Sequence, residues 1–202
     1  MHMHSFLRSF RFLAPWLGAA LLGMTSGCSN FKASHQVAVD AITGQLGTGG
    51  TSYQFVARDP RAGGHDLSQH GRALACVEAA LADKGMFEAP PKTQPDMLIS
   101  VDYGIGNHIP MVNGPPAIEK YLHLSARKIV DAATMKTEEL WNVRVTTSEP
   151  NPNLDNCLPL LATVAADYAG LDTQVEKTVT ILDSSPAVAR IRDVMRAPPE
   201  TP

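Results

Sequence analysis

The amino-acid pattern predicts an α+β fold: a single antiparallel or mixed sheet with two main helices on one face and a short C-terminal helix. Three observations lead there. Segments of polar–apolar alternation recur, as in Ser52-Tyr53-Gln54-Phe55 and around Met97, Ile99 and Val101, and a period of two marks a half-buried strand. Two longer segments carry apolar residues at helical spacing instead, through Leu74, Val77 and Leu81 and through Leu154, Cys157, Leu161, Val164 and Tyr168. The element order, β-β-α-β-β-β-α-β-α, is mixed without strict alternation. One sheet packed against helices is the economical arrangement, with tight turns favouring antiparallel neighbours.

The first 28 residues are expected to be an export signal. Arg8 and Arg11 flank the start of an apolar run at residues 12–24, followed by Thr25-Ser26-Gly27-Cys28. The run is shorter than the roughly 20 residues a membrane-spanning helix needs and fits the core of a secretory signal. Pro15 and Gly18 weaken it further as a permanent helix. The small residues before Cys28 resemble the processing box of bacterial lipoproteins. That resemblance implies removal of residues 1–27, a thioether diacylglycerol and an N-linked acyl chain such as palmitate on Cys28, and, from Ser29, sorting to the outer membrane. The competing reading is an ordinary signal with Cys28 incidental. The organisation is then a signal peptide at 1–27, a lipidated N-terminus, tether and first strand at 28–50, and an α+β globular domain at 51–202.

Residues 34–42 alternate partly (Val37, Val39, Ala41) and predict a strand, and residues 44–50 are a glycine-rich turn. Tyr53, Phe55 and Ala57 share one face of a second strand across residues 51–58. Asp66 and Gln69 form a capping box for a helix running to about Lys84. Its stripe is Leu67, Leu74, Val77 and Leu81, with Cys76 on the flank, and Gly85 is a fitting stop. Residues 87–95 predict a loop and 96–103 a strand. Residues 104–117, rich in Gly, Asn and Pro, predict a long loop, folded over the sheet as a lid or exposed for contact. Strands at 118–132 and 138–148 follow as a hairpin. Asp155 or Asn156 caps a second helix to about Gly170, with Pro159 tolerated in its first turn and Cys157 facing inward. A last strand at 175–182 precedes a helix opened by Ser185 and Pro186, with Val188, Ile191 and Met195 as its stripe.

The net charge is −3, and loss of the signal makes the remainder more acidic, so nucleic acid is not an expected partner. No cofactor motif is present. Gly104-Ile105-Gly106 lacks the third glycine of a dinucleotide loop and no helix follows. Cys76 and Cys157 admit two readings: a disulfide worth about 4 kcal/mol in the chain-entropy model, or two buried thiols acting as small apolar groups. His65, Asp66 and His70 are the best metal suspects, but a five-residue spacing does not put both imidazoles on one helical face, so no metal is expected. Ser100, His123 and Asp131 supply a nucleophile, base and acid on paper without a nucleophile elbow. Glu138 and Glu139 adjoin a turn, where solvated roles are the default. No catalytic residue emerges.

The chain also resembles a family of bacterial lipoproteins whose globular part is a domain of unknown function. The similarity is carried by Thr51-Ser52-Tyr53-Gln54-Phe55, by Leu81-Ala82-Asp83-Lys84-Gly85-Met86, by Pro95-Asp96-Met97-Leu98-Ile99-Ser100-Val101, and by Asp131-Ala132-Ala133-Thr134 with Leu140-Trp141. It implies fold and location but no activity. The expected function is a lipid-anchored binding or assembly module on the periplasmic side of the outer membrane. Membrane contact runs through the N-terminal lipid, and Ile109, Met111 and Val112 are candidates for touching an envelope protein partner. The alternatives are an envelope enzyme acting on lipid or cell-wall material and a carrier of a small apolar ligand.

Overall fold

The computed structural model describes residues 33–56, 67–112 and 114–196. The signal segment, Cys28, Ala57, His65 and Asp66 lie outside the described residues. Among the described residues the chain forms one mixed sheet in the order β3-β2-β4-β5-β6-β1-β7 and three helices, which is the α+β class read from the sequence. The strands are β1 (Ser34–Thr43), β2 (Ser52–Phe55), β3 (Phe87–Glu88), β4 (Met97–Ile109), β5 (Ala117–Asp131), β6 (Lys136–Glu149) and β7 (Lys177–Leu182). The helices are α1 (Leu67–Ala82), α2 (Leu158–Tyr168) and α3 (Pro186–Arg196).

β4, β5 and β6 form an antiparallel meander, and β1 pairs antiparallel with both β6 and β7. β2 runs parallel to β3 and β4, because α1 supplies the crossover that parallel neighbours require. β1, grouped with the tether in the sequence reading, is therefore an interior strand of the sheet.

Several sequence motifs turn out to be locks. Ser52 and Asp96 bind each other across the parallel pair, with Ser52 N–H and Oγ donating to Asp96 Oδ2 at 3.0 and 2.7 Å and Asp96 N–H donating to Ser52 Oγ at 3.0 Å. Gly85 ends α1 in the left-handed region at φ 75°. Met86 N–H returns to the Leu81 carbonyl and Gly85 N–H to that of Ala82, the paired bonds of a Schellman stop. Asp131 Oδ1 accepts from Ala133 and Thr134 N–H in the β5–β6 turn.

Two sequence expectations are corrected. Residues 104–109 continue β4 as strand, with a bulge between Ile105 and His108; the predicted long loop shrinks to the hairpin turn before Ala117. Gly104 and Gly106 act as clearance here. A Cβ on Gly104 would meet Tyr121 Oη at 3.0 Å, and one on Gly106 would meet Glu119 Oε1 at 2.6 Å. The lid alternative also falls, since Met111 and Val112 are exposed. Phe87 and Glu88, predicted as loop, form the short β3.

Alternate residues of the central strands are buried: Leu122, Leu124 and Ala126 of β5, and Trp141, Val143 and Val145 of β6. α2 is buried from Leu158 to Ala166, touching β1, β5 and β6 and also α1 and α3. A helix apolar on all sides belongs in the interior, and Ala162, Ala165 and Ala166 let its neighbours approach closely. α1 buries Ala73, Cys76, Val77, Ala80 and Leu81, so Cys76 is central to the stripe and not on its flank. Arg190 of α3 pairs with Asp83 at 2.7 Å, and Lys84 pairs with Asp167.

Candidate functional site

The strand alternation that buries Leu122 and Leu124 also turns Lys120 inward, and its exposure is 0%. An ammonium in such a place needs partners. Lys120 Nζ donates to Cys157 Sγ at 3.2 Å and lies 3.6 Å from Glu149 Oε2. The sheet supplies Glu149 as the last residue of β6, and Cys157 is the N-cap of α2. Cys157 in turn donates to Glu149 Oε2 at 3.2 Å. The other carboxylate oxygen of Glu149 faces His35 Nδ1 at 2.5 Å. His35 Nε2 is 3.5 Å from Asp183 Oδ1, without hydrogen-bond geometry. Asp183 is held by Arg192, whose Nη1 donates to Asp183 Oδ2 at 2.8 Å. Lys120, Cys157, Glu149, His35, Asp183 and Arg192 thus form one connected polar cluster running from the interior to the surface.

The electrostatics follow from that geometry. Burial works against the charge on Glu149, but hydrogen bonds from Cys157 and His35 and the nearby positive groups outweigh it, so its carboxyl sits below its ordinary value. Burial and the bond to Glu149 push the Cys157 thiol up to about 11. It is a thiol at neutral pH and not a ready nucleophile. The Arg192 hydrogen bond holds Asp183 below the usual carboxylate range. The outer members line an open cleft of about 600 Å3 with Asp155, Asn156 and Arg196.

Cys76 and Cys157 are both free in the structure. Both are buried, and Cys157 has polar partners in Lys120 and Glu149. Burial and the charge of Asp155 raise Cys76 to about 12. Cys28 lies outside the described residues.

Ile109 ends β4, and Met111 and Val112 form the turn beyond it, 55% and 98% exposed. Ser100, His123 and Asp131 do not assemble: Asp131 is spent on the hairpin turn, and Ser100 donates to the Ser125 carbonyl. His123 instead lies in a lateral row across the sheet, opposite Asp102 on one side and Arg144 on the other, with Asp40 next. Arg144 lies over the Tyr121 ring at 4.7 Å. Burial and the Arg144 charge lower His123 from its ordinary value. His70 stacks near Tyr103, with ring centroids 6.0 Å apart. Glu139 accepts from Asn142 at 2.7 Å, and Glu138 lies 3.8 Å from Lys136. Among the described residues, no group of three or more His, Cys, Asp and Glu side chains is arranged to hold a metal ion.

Sequence reasoning missed His35, Lys120, Glu149, Asp183 and Arg192. One signal was available: Lys120 occupies the phase of Ile118, Leu122 and Leu124, where a solvated lysine does not belong.

No family model matches the chain, and no curated protein does. Among solved structures, a PDZ domain protein from Parabacteroides distasonis is similar over 74% of this chain at 14% identity with a TM-score of 0.48; the chain spans 39% of that protein's length. Two structures of the PelC dodecamer from Paraburkholderia phytofirmans are also similar. One has 15% identity and a TM-score of 0.36 over 67% of this chain and 98% of PelC. The other has 16% identity and a TM-score of 0.34 over 68% and 99%.

Proposed function

We propose that the protein is a lipid-anchored envelope module, held through Cys28 at the periplasmic face of the outer membrane, whose work is binding or assembly with a neighbour there. One observation supports this reading above the others: the start of β1 and the exposed apolar tip belong to the same end of the sheet. β1 starts at Ser34. His35 touches Glu149, which lies opposite Ile118, and Ala117 lies opposite Ile109. The turn carrying Met111 and Val112 therefore projects from the end of the sheet at which β1 begins. Four adjacent strands at about 4.8 Å spacing separate them laterally by only about 15 Å. From Tyr103 to Ile118 the chain has no Asp, Glu, Lys or Arg, which suits contact with an apolar surface on a membrane-held protein. Acyl chains on Cys28 would raise the local concentration of that tip for such a neighbour.

In this arrangement α1 and α2 cover one face of the sheet. The row of Asp40, Asp102, His123 and Arg144 then occupies the helix-free face as a polar surface. The clefts, about 600 and 640 Å3, are open and lined by charged side chains, which suits neither a small apolar cargo nor a closed hydrolytic site.

The test is crosslinking and capture of the lipidated protein from envelopes, comparing Met111→Asp and Val112→Asp with the parent. Loss of a specific neighbour in both variants, with unchanged melting, is expected; unchanged capture removes the tip from the reading. Palmitate labelling with Cys28→Ala examines the anchor separately, and labelling that survives the substitution removes lipidation at Cys28.

A further inference from the structure

We propose that Lys120 and Cys157 form an oxidative modification site, in which peroxide inserts one oxygen atom between Lys120 Nζ and Cys157 Sγ to give a reversible covalent N–O–S bridge. The inference is independent of the anchoring reading and rests on the geometry of the buried cluster. Nζ and Sγ are 3.2 Å apart, and Lys120 and Cys157 are 0% and 1% exposed, so packing holds the pair together. A separation of that size suits a bridge of two bonds through an added atom better than a single direct bond. Glu149 is placed to serve both: its Oε2 is 3.6 Å from Nζ and 3.2 Å from Sγ. It also lines the cleft, so it stands between solvent and the pair. Cys76 is equally buried and provides a reference for burial alone.

The chemistry balances with hydrogen peroxide as the oxidant. The thiol sulfur attacks one peroxide, breaking its O–O bond to give a sulfenic acid and water. The ammonium passes a proton to Glu149, and the amine nitrogen attacks a second peroxide, giving a hydroxylamine and water. The hydroxylamine oxygen then attacks the sulfenic sulfur and a third water leaves. Each peroxide accepts two electrons, one pair from sulfur and one from nitrogen. The product gains one oxygen and loses two hydrogens relative to thiol plus amine. Because Cys157 is held as a thiol, with burial pushing it to about 11, the reaction is slow and accumulates as a modification; it is not peroxidase turnover. The bridge staples β5 to the start of α2. It also removes the ammonium that lies beside Glu149 and the thiol that donates to it, leaving that carboxylate to His35 and the cleft.

The test is peptide mapping of the full-length chain in detergent after peroxide treatment. A species joining the Lys120 peptide to the Cys157 peptide, heavier than their sum by about 14 Da and released by dithiothreitol, is the expected result. It should be at least about tenfold less abundant in Lys120→Arg, which keeps the charge but lacks the primary amine. Cys157 that is unmodified, or carries only added oxygens without the cross-link, would overturn the proposal. So would a link lighter than the sum by about 2 Da, which is a direct S–N bond. If Lys120→Arg does not fold, fragmentation of the parent's linked peptide decides alone, by placing or failing to place the oxygen between the two side chains.

Discussion

A charge sealed inside a domain creates an asymmetry between its two partners, and Lys120 and Glu149 allow it to be measured. At 3.6 Å the pair attracts by about 4–5 kcal/mol at an effective dielectric of about 20, and by about 1 kcal/mol in water. The Glu149 side chain is 22% exposed, so the true gain lies between these limits. Against it stands the cost of drying the Lys120 ammonium, several kcal/mol after relaxation. The two nearly cancel. Lys120→Met, which keeps the volume and removes both terms, should therefore change stability by no more than about 1 kcal/mol. Glu149 keeps its bonds to His35 and Cys157 in that variant.

Glu149→Gln is different, because it leaves the ammonium buried with a thiol and a neutral amide beside it and no compensating charge. Breaking a buried pair from one side costs about 3–5 kcal/mol, reduced here to about 2–3 by the partial exposure of Glu149. For a chain of this size that is a melting shift of about 4–12 °C. The double variant should recover most of the loss. Urea unfolding of the four proteins measures the cycle. Equal losses in Lys120→Met and Glu149→Gln, or simple additivity in the double variant, would refute the account of Lys120 as a buried cation stabilised chiefly by Glu149.

Other expectations follow from the same structure. Stability should fall as pH drops below about 6.5, the ordinary value of His123, because the unfolded chain takes up that proton before the folded one does. It should fall more steeply below about 4.5, where the lowered Glu149 and Asp183 contribute stability only while ionised; urea midpoints across pH should show both limbs, with His123→Gln removing the upper one. Gly85→Ala should cost about 1–2 kcal/mol by thermal melting, all of it from the backbone at φ 75°, since an added Cβ meets nothing within 4 Å. Leu122→Ala, at a fully buried position, should cost about 3 kcal/mol in the same assay.

Most strands, all three helices and most of their inward positions were legible because each is encoded locally; Cys76, read as flanking, was the exception in α1. Alternation at Tyr53 and Ile99, the stripe through Val77 and Leu81, and the stop at Gly85 need no knowledge of the rest of the chain. Residues 104–109 were misjudged for a physical reason. Glycine weakens a strand unless a neighbouring strand needs the room, and Tyr121 and Glu119 need it here. That requirement is visible only once β4 and β5 are in register. Phe87 and Glu88 likewise become strand only because β2 offers them an edge.

The candidate site was illegible for a deeper reason. His35, Lys120, Glu149, Cys157 and Asp183 come from five separate places in the chain, so no spacing rule connects them. The conspicuous motifs point elsewhere: Ser52 with Asp96, Leu81 through Met86 and Asp131 through Thr134 are all consumed by strand pairing, helix termination and a turn. Such motifs support a resemblance in fold and carry no chemistry. What remained was one lysine on the inward phase of an otherwise apolar strand. A solvated lysine sits at an outward position at little cost, whereas an inward one must find an acid and a second partner or destabilise the domain. That demand ties the ends of β6 and α2 to the middle of the chain, and it makes Lys120 a sharper pointer to the cluster than any of the histidines.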